Sequence, residues 1–312
     1  MKKVNKPNVI VIVGPTASGK TSLSIELAKK IDGEIVSADS MQIYKYMDIG
    51  SAKPTKEEMS GIKHYMLDFV EPDIRYSVAE YKKSAEKAID EILSKGKTPI
   101  VVGGTGLYVD SLIYGIEYNE IKLDENYRKK LENFAEENGL EELYNKALQI
   151  DNTAMAKISR NDKKRILRVL EIYHETGKTK TQLELESRQK GVNYNYIVFA
   201  INMDREKLYE RINLRVDKMV ENGLIEEVHQ LISKYDSMPT AIQGLGYKET
   251  KEYLEGKIQK DEMIEKIKLE TRRYAKRQLT WFRKNKETIW LDGLDEREKN
   301  IQIILNRIAQ ST

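Results

Sequence analysis

Gly14-Pro15-Thr16-Ala17-Ser18-Gly19-Lys20-Thr21 fits the pattern G-x-x-x-x-G-K-[ST] with no mismatch. At average residue frequencies such a match arises by chance in roughly one chain of this length in a hundred, so its surroundings decide. Before it stands an apolar β-branched run, residues 9–13, and after it residues 22–31 read as a helix. In that setting glycines let the backbone curl and aim successive N–H groups at an anion. Lys20 adds a mobile positive charge, and the Thr21 hydroxyl is suited to holding Mg2+. Residues 14–21 are therefore expected to cradle a diphosphate or triphosphate.

Short apolar runs recur at residues 35–37, 100–102, 196–201 and 288–291, most of them separated by amphipathic, helix-like segments. They are apolar throughout rather than alternating, as in strands covered on both faces of a parallel sheet. The expected class is α/β, a P-loop NTPase-like parallel sheet flanked by helices. Between residues 119 and 195 the pattern changes to dense charge and helix formers. An inserted all-helical domain is expected there, with residues 1–118 and 196–312 forming the core. Inside it, Asn161 reads as an N-cap and Gly177 as the stop of a helix through Ile166, Leu167, Leu170 and Tyr173. Residues 178–193 read as a polar linker, and a last helix is expected near residues 301–308.

The chain has 312 residues, 40% of them hydrophobic and 33% charged, with 53 basic and 50 acidic side chains giving a net charge of +3. That balance leaves partner choice to local patches. There is no cysteine, which excludes disulfides, thiolate zinc sites and a catalytic thiol. Met1-Lys2-Lys3 has the charge of a signal peptide, but the apolar run that follows is too short for its core. No stretch approaches the ~20 apolar residues of a membrane span, and a soluble, cytoplasmic protein is expected.

The cradle does not name the reaction. An NTPase motor would show a second strand ending in a magnesium-binding Asp, whereas residues 100–102 run into Gly103-Gly104-Thr105-Gly106. Those glycines suggest a close backbone approach to a ligand. The aspartate that does follow a strand is Asp39. Open α/β sheets bind ligands beyond the carboxyl ends of their strands, so Asp39 should face the ligand, to steer magnesium or accept a proton. Its alternative role is to cap a turn with Ser40. Between residues 272 and 286, seven of fifteen side chains are Lys or Arg, none is acidic, and Tyr274, Trp281 and Phe282 are interleaved. Helical spacing puts 273, 277, 280 and 284 on one face and 274, 278 and 281 on another. The first face suits phosphates; Tyr274 and Trp281 would anchor the helix or stack on a base. Lys164, Arg165 and Arg168 form a second basic cluster. His64, His174 and His229 lack metal-ligand spacing, and His64 reads as packing. On these residues alone, a P-loop nucleotide or small-molecule kinase and a non-catalytic RNA-binding protein both remain open.

Several segments together resemble the tRNA dimethylallyltransferases in order and spacing, over nearly the whole chain. They are the cradle; Ala38-Asp39-Ser40-Met41-Gln42-Ile43-Tyr44; Met47-Asp48-Ile49-Gly50-Ser51-Ala52-Lys53-Pro54; and Gly103-Gly104-Thr105-Gly106-Leu107-Tyr108. Lys164-Arg165-Ile166-Leu167-Arg168, Gly244-Leu245-Gly246-Tyr247-Lys248-Glu249 and the stretch from Tyr274 to Arg283 complete the set. Eukaryotic members carry an added zinc finger, so a chain without cysteine resembles the bacterial form. The resemblance implies transfer of a five-carbon allylic group from dimethylallyl diphosphate to the exocyclic amine of the adenine just 3′ of the tRNA anticodon. The cradle then holds the diphosphate of a prenyl donor. It implies Asp39 as general base, with Lys20, Thr21, Mg2+ and Arg215 stabilising the leaving group. Contacts to the anticodon stem-loop would come from Asp39, Ser40, Met41, Gln42, Thr105, Arg128, Lys164, Arg165, Arg168, Gln243, Gly244, Lys276, Arg277 and Arg283. A monomer is expected.

Overall fold

Six strands build one all-parallel sheet in the computed structural model, which describes residues 6–117, 124–189 and 191–311. They are β1 (Asn8–Val13), β2 (Gly33–Ser37), β3 (His64–Tyr65), β4 (Thr98–Gly103), β5 (Asn195–Asn202) and β6 (Ile289–Asp292). Their order across the sheet is β3-β2-β4-β1-β5-β6. Ile10 lies opposite Ile100 of β4 and Ile197 of β5, so β1 is paired on both sides. Every residue of β1 from Val9 on is fully buried, which explains a run with no polar alternation.

Period-two geometry sends β1 side chains to opposite layers. Val9, Val11 and Val13 pack with Tyr81, Ile89 and Ile92 of the helix Val78–Ser94 and with Phe282. Ile10 and Ile12 pack with Leu23 and Leu27 of the helix Lys20–Lys30 and with Ile301 and Ile304 of the helix Arg297–Ala309. A third apolar cluster gathers Ile43, Tyr44, Met47 and Val70 against Val216, Leu224, Val228, Tyr247, Met263 and Ile267. These come from the helices Arg205–Glu221, Leu224–Lys234, Tyr247–Leu254 and Lys260–Phe282.

The chain divides into two compact units, Met1–Ile113 with Asn193–Thr312, and Tyr114–Val192. The second contains the helices Glu125–Asn138, Leu140–Ile150, Asn152–Met155, Lys163–Thr176 and Lys180–Gln189 around Leu131, Leu143, Ala147, Ile166, Leu167 and Leu170. The expected boundary at 118/119 and the charged Met1-Lys2-Lys3 lie outside the described residues.

Four local expectations need correction. β3 has only two residues, too few to show a period, and sits at the sheet edge. The N-cap of the Lys163–Thr176 helix is Asp162, whose side chain accepts from Arg165 N–H at 3.1 Å, and not Asn161; Gly177 does end that helix, at φ 65°. The stretch expected to be a linker holds the helix Lys180–Gln189. Its start is fixed by the buried Asp151, which accepts from Thr181 N–H at 2.8 Å and Thr181 Oγ1 at 2.7 Å. A tertiary partner supplied by another segment thus makes a helix of a polar stretch. Finally, the basic helix stops at Phe282, so Lys284 lies beyond it rather than on its face.

Candidate active site

The loop after β1 turns into the helix Lys20–Lys30 through Gly19, whose φ of 88° is left-handed; a side chain there would be strained. Ala17 adopts φ 62°, a conformation costing an L-residue roughly 1–2 kcal/mol. Such strain is retained where the surroundings over-determine it. Ser18 Oγ is buried without a hydrogen-bond partner and lies against Gly14. Lys20 Nζ rests on Pro15 O at 3.3 Å. Burial, reinforced by the Arg215 guanidinium, pushes the Lys20 ammonium down to about 8. An arriving anion would reverse both effects.

Lys20, Thr21, Asp39 and Arg215 all line one cavity of about 350 Å³. Asp39 follows β2, as open-sheet geometry requires. Its Oδ1 accepts from Met41 N–H at 2.9 Å and Gln42 N–H at 3.4 Å. The turn-capping role is thus seen in Oδ1, and Asp39 also lines the cavity. Arg215 is half-buried, its guanidinium pushed down by burial and held up by Asp39. Two cations and one carboxylate thus share a partly dry space, where charge interacts more strongly than in water.

Thr105, which does not itself line the cavity, accepts at Oγ1 from Ser40 N–H at 3.0 Å. Thr105 N–H donates to Ala38 O at 3.1 Å, so the loop after β4 is buttoned to the loop carrying Asp39. The glycines of that loop, expected to allow close approach of a ligand, include Gly103, which does line the cavity. All three also lie hard against protein. A Cβ on Gly103 would lie 2.2 Å from Ala38 O, one on Gly104 2.1 Å from Gln278 Nε2, and one on Gly106 2.4 Å from the Trp281 ring.

Gln278 is 5% exposed and uses its amide in both directions. Oε1 accepts from Thr16 N–H at 2.9 Å, and Nε2 donates to Gly104 O at 2.9 Å. Thr16 and Gln278 both line the cavity, and the Thr16 backbone N–H is engaged by Gln278. Tyr274, one turn earlier, lines the cavity. Burial and the nearby Asp39 push its phenol up to about 12, so it remains a neutral hydrogen-bonding group. Trp281 Nε1 donates to Asp110 at 2.9 Å, which makes it an anchor and not a free stacking platform.

Met41, Gln42, Gln243 and Gly244 also line the cavity. Gln42, expected to offer its amide to a base edge, has it engaged: Nε2 donates to Ser51 O at 3.3 Å and Ala52 O at 3.1 Å, and Oε1 accepts from Ser37 Oγ at 3.2 Å. The neighbouring loop is braced from outside by Glu227, whose carboxylate accepts from the N–H groups of Asp48, Ile49 and Gly50 at 2.9, 2.8 and 3.1 Å. His64 is the histidine expected to serve packing. It lines the cavity, its Nδ1 lies 2.9 Å from Ile62 O, and its buried Nε2 has no partner. Burial lowers its basicity. Sequence reading missed His64, Gln278 and the cavity role of Tyr274. For Gln278 the signal was present: a polar residue at the buried 274/278/281 spacing.

Lys276, Arg277 and Arg283 are exposed, and none has an acidic partner among the described residues. Arg273, by contrast, pairs with Glu270 at 2.6 Å. Within the helical unit, Lys164 is exposed, whereas Arg165 pairs with Asp162 at 3.2 Å. Arg128 and Arg168 meet the buried Glu171 at 3.1 and 3.7 Å. Thr21 offers a hard oxygen at the cradle, and Mg2+ is commonly held by few protein groups plus substrate phosphates. The donor set fits that ion.

Residues 42–285 match the family described as IPP transferase. The chain belongs to that family. A protein of Acetivibrio thermocellus called tRNA dimethylallyltransferase is 55% identical over 300 residues, 96% of each chain. One of Thermoanaerobacter sp. with the same description is 50% identical over 278 residues, 88% of each. Among solved structures, the tRNA isopentenylpyrophosphate transferase of Bacillus halodurans is similar at TM-score 0.74 and 42% identity, covering 98% of this chain and 97% of that one. A eukaryotic dimethylallyltransferase described as acting on tRNA is similar at TM-score 0.79 and 30% identity, over 97% of this chain and 80% of that one. These relatives support the transferase reading and not the kinase alternative. The family match begins at Gln42, whereas the cradle and Asp39 precede it; they are covered by the whole-length relatives.

Proposed function

We propose that the protein transfers a dimethylallyl group from dimethylallyl diphosphate to the exocyclic amine of the adenine 3′ of the anticodon in tRNA, releasing diphosphate. One observation carries the residue assignment: Lys20, Thr21, Asp39 and Arg215 line a single cavity.

In the reaction the allylic C–O bond breaks, the N–C bond forms, and one proton leaves the amine. The amine is a weak nucleophile, so positioning and leaving-group stabilisation dominate. Lys20 and Arg215, with backbone N–H groups at the start of the helix Lys20–Lys30, are suited to the negative charge that gathers on the departing diphosphate, whereas Ser18 N–H is engaged by Pro15 O at 3.3 Å. Thr21 would hold Mg2+ together with the diphosphate, and the ion when bound offsets part of that charge. Asp39 Oδ2 takes the proton and passes it to solvent, while Oδ1 keeps the carboxylate oriented through its two turn hydrogen bonds. Thr105, held beside Ser40, and Gln243 are suited to the adenine and its neighbours; Lys276, Arg277 and Arg283 are suited to phosphates. A cytoplasmic monomer accords with this reading, and no described helix is long and apolar enough to cross a membrane.

The test is to mix pure protein, Mg2+, labelled dimethylallyl diphosphate and an unmodified anticodon stem-loop. Label in the RNA together with released diphosphate is expected, and ATP should make no difference. ATP-dependent phosphorylation of an acceptor without label transfer would favour the kinase reading.

A further inference from the structure

We infer that Gln278 is a positioning residue that couples the RNA site to the diphosphate cradle, so that each ligand changes the affinity for the other. The inference rests on the proposed reaction. Its basis is a single buried amide that touches three parts of the site. Its own helix, Lys260–Phe282, carries the exposed Lys276 and Arg277 immediately before it. Its Oε1 holds Thr16, in the cradle. Its Nε2 holds Gly104, whose neighbour Thr105 is hydrogen-bonded to Ser40, next to Asp39.

The arrangement has no slack. Gly104 has no room even for a Cβ, which would lie 2.1 Å from Gln278 Nε2. Trp281, almost one turn on, pins the same helix to Asp110 and lies against Gly106. A buried amide that lost either partner would leave a donor or acceptor unsatisfied. A displacement of the helix on meeting phosphates must therefore carry the cradle and the Thr105 loop with it. Coupling transmitted this way is reciprocal by thermodynamic necessity.

Calorimetry on the full-length protein tests this, with inorganic pyrophosphate and Mg2+ as the probe, in the presence and absence of saturating unmodified anticodon stem-loop. In the wild type the RNA is expected to change the pyrophosphate Kd by at least about fivefold. In Gln278→Met, which keeps length and volume without the hydrogen bonds, each ligand still binds alone but the ratio falls to about one. Gln278→Glu keeps the acceptor for Thr16 and sets a carboxylate oxygen against Gly104 O. It is expected to lose the coupling too, and stands in if the first variant does not fold. A wild type without coupling, or a folded variant in which the ratio is intact, overturns the inference, including the case where both single-ligand affinities fall together. Label transfer by the wild type in the same preparation separates the two readings. Transfer with unaltered coupling sinks only the role of Gln278, and no transfer sinks the proposed reaction.

Discussion

Replacing Asp39 by Asn leaves the turn intact and removes the base, which is why this substitution is the most informative. Asn can present its carbonyl oxygen to Met41 N–H and Gln42 N–H, where Asp39 Oδ1 now lies at 2.9 and 3.4 Å. The amide NH2 then replaces Oδ2 in the cavity and cannot accept the amine proton. A positioned base is typically worth ~10²–10⁴ in rate, or about 2.7–5.5 kcal/mol of barrier. Single-turnover transfer from labelled dimethylallyl diphosphate should slow by that factor, with stem-loop affinity near wild type. Asp39→Ala should lose the rate and also the two turn bonds, costing about 1–3 kcal/mol of stability and lowering the melting temperature, which the Asn variant should not do. A rate for Asp39→Asn within roughly tenfold of wild type would refute the assignment of the base. So would rate, RNA affinity and melting temperature falling in parallel in both variants, since the carboxylate would then be acting only on the turn.

Lys20→Ala should cripple turnover and weaken pyrophosphate binding. In the free protein the Lys20 ammonium titrates near 8, so the cation is present below that pH and lost above it; the wild-type advantage over Lys20→Ala in pyrophosphate affinity should shrink as pH rises through that value. Arg277→Ala should weaken stem-loop binding and flatten its log–log salt slope by roughly 0.7–0.9, measured by titration across a salt series. Arg273→Ala, already paired with Glu270, should change the slope less. Gly103→Ala forces a Cβ to 2.2 Å from Ala38 O and should destabilise the fold by about 1–3 kcal/mol or more, read as a lower denaturant midpoint.

How much of this was legible beforehand depended on whether a segment's partners lie nearby in sequence. The cradle, β1 and the helix after it are contiguous, and their chemistry could be read from residues 9–31. Five of the six strands could be read from apolar content, in β1, β2, β4 and β5 because burial on both faces leaves little polar alternation, and in β6 from its apolar Ile289-Trp290-Leu291 although it is partly exposed. β3 could not, since its two residues gain their place only by pairing Ile35 and Val36. The helix Lys180–Gln189 was illegible for a similar reason, its start being set by Asp151, some thirty residues upstream. In the site, Asp39 was legible from its place after a strand. The engagement of Gln42 by Ser51 and Ala52, and the clamp formed by Gln278 across 262 positions to Thr16, depend on folded geometry.

The central position of β1 also bears on synthesis. One of its edges is covered by β4 as soon as Gly103 has emerged, but the other waits for β5, which starts at Asn195. Roughly ninety residues intervene, so at about 5–20 residues per second the apolar second edge of β1 stays open for on the order of 5–20 s on the ribosome. The intervening helical unit, with its own apolar centre, has that interval in which to condense, and a nascent chain stalled inside it would present a strand, apolar from Val9 to Val13, with one edge unpaired to chaperones and to other chains.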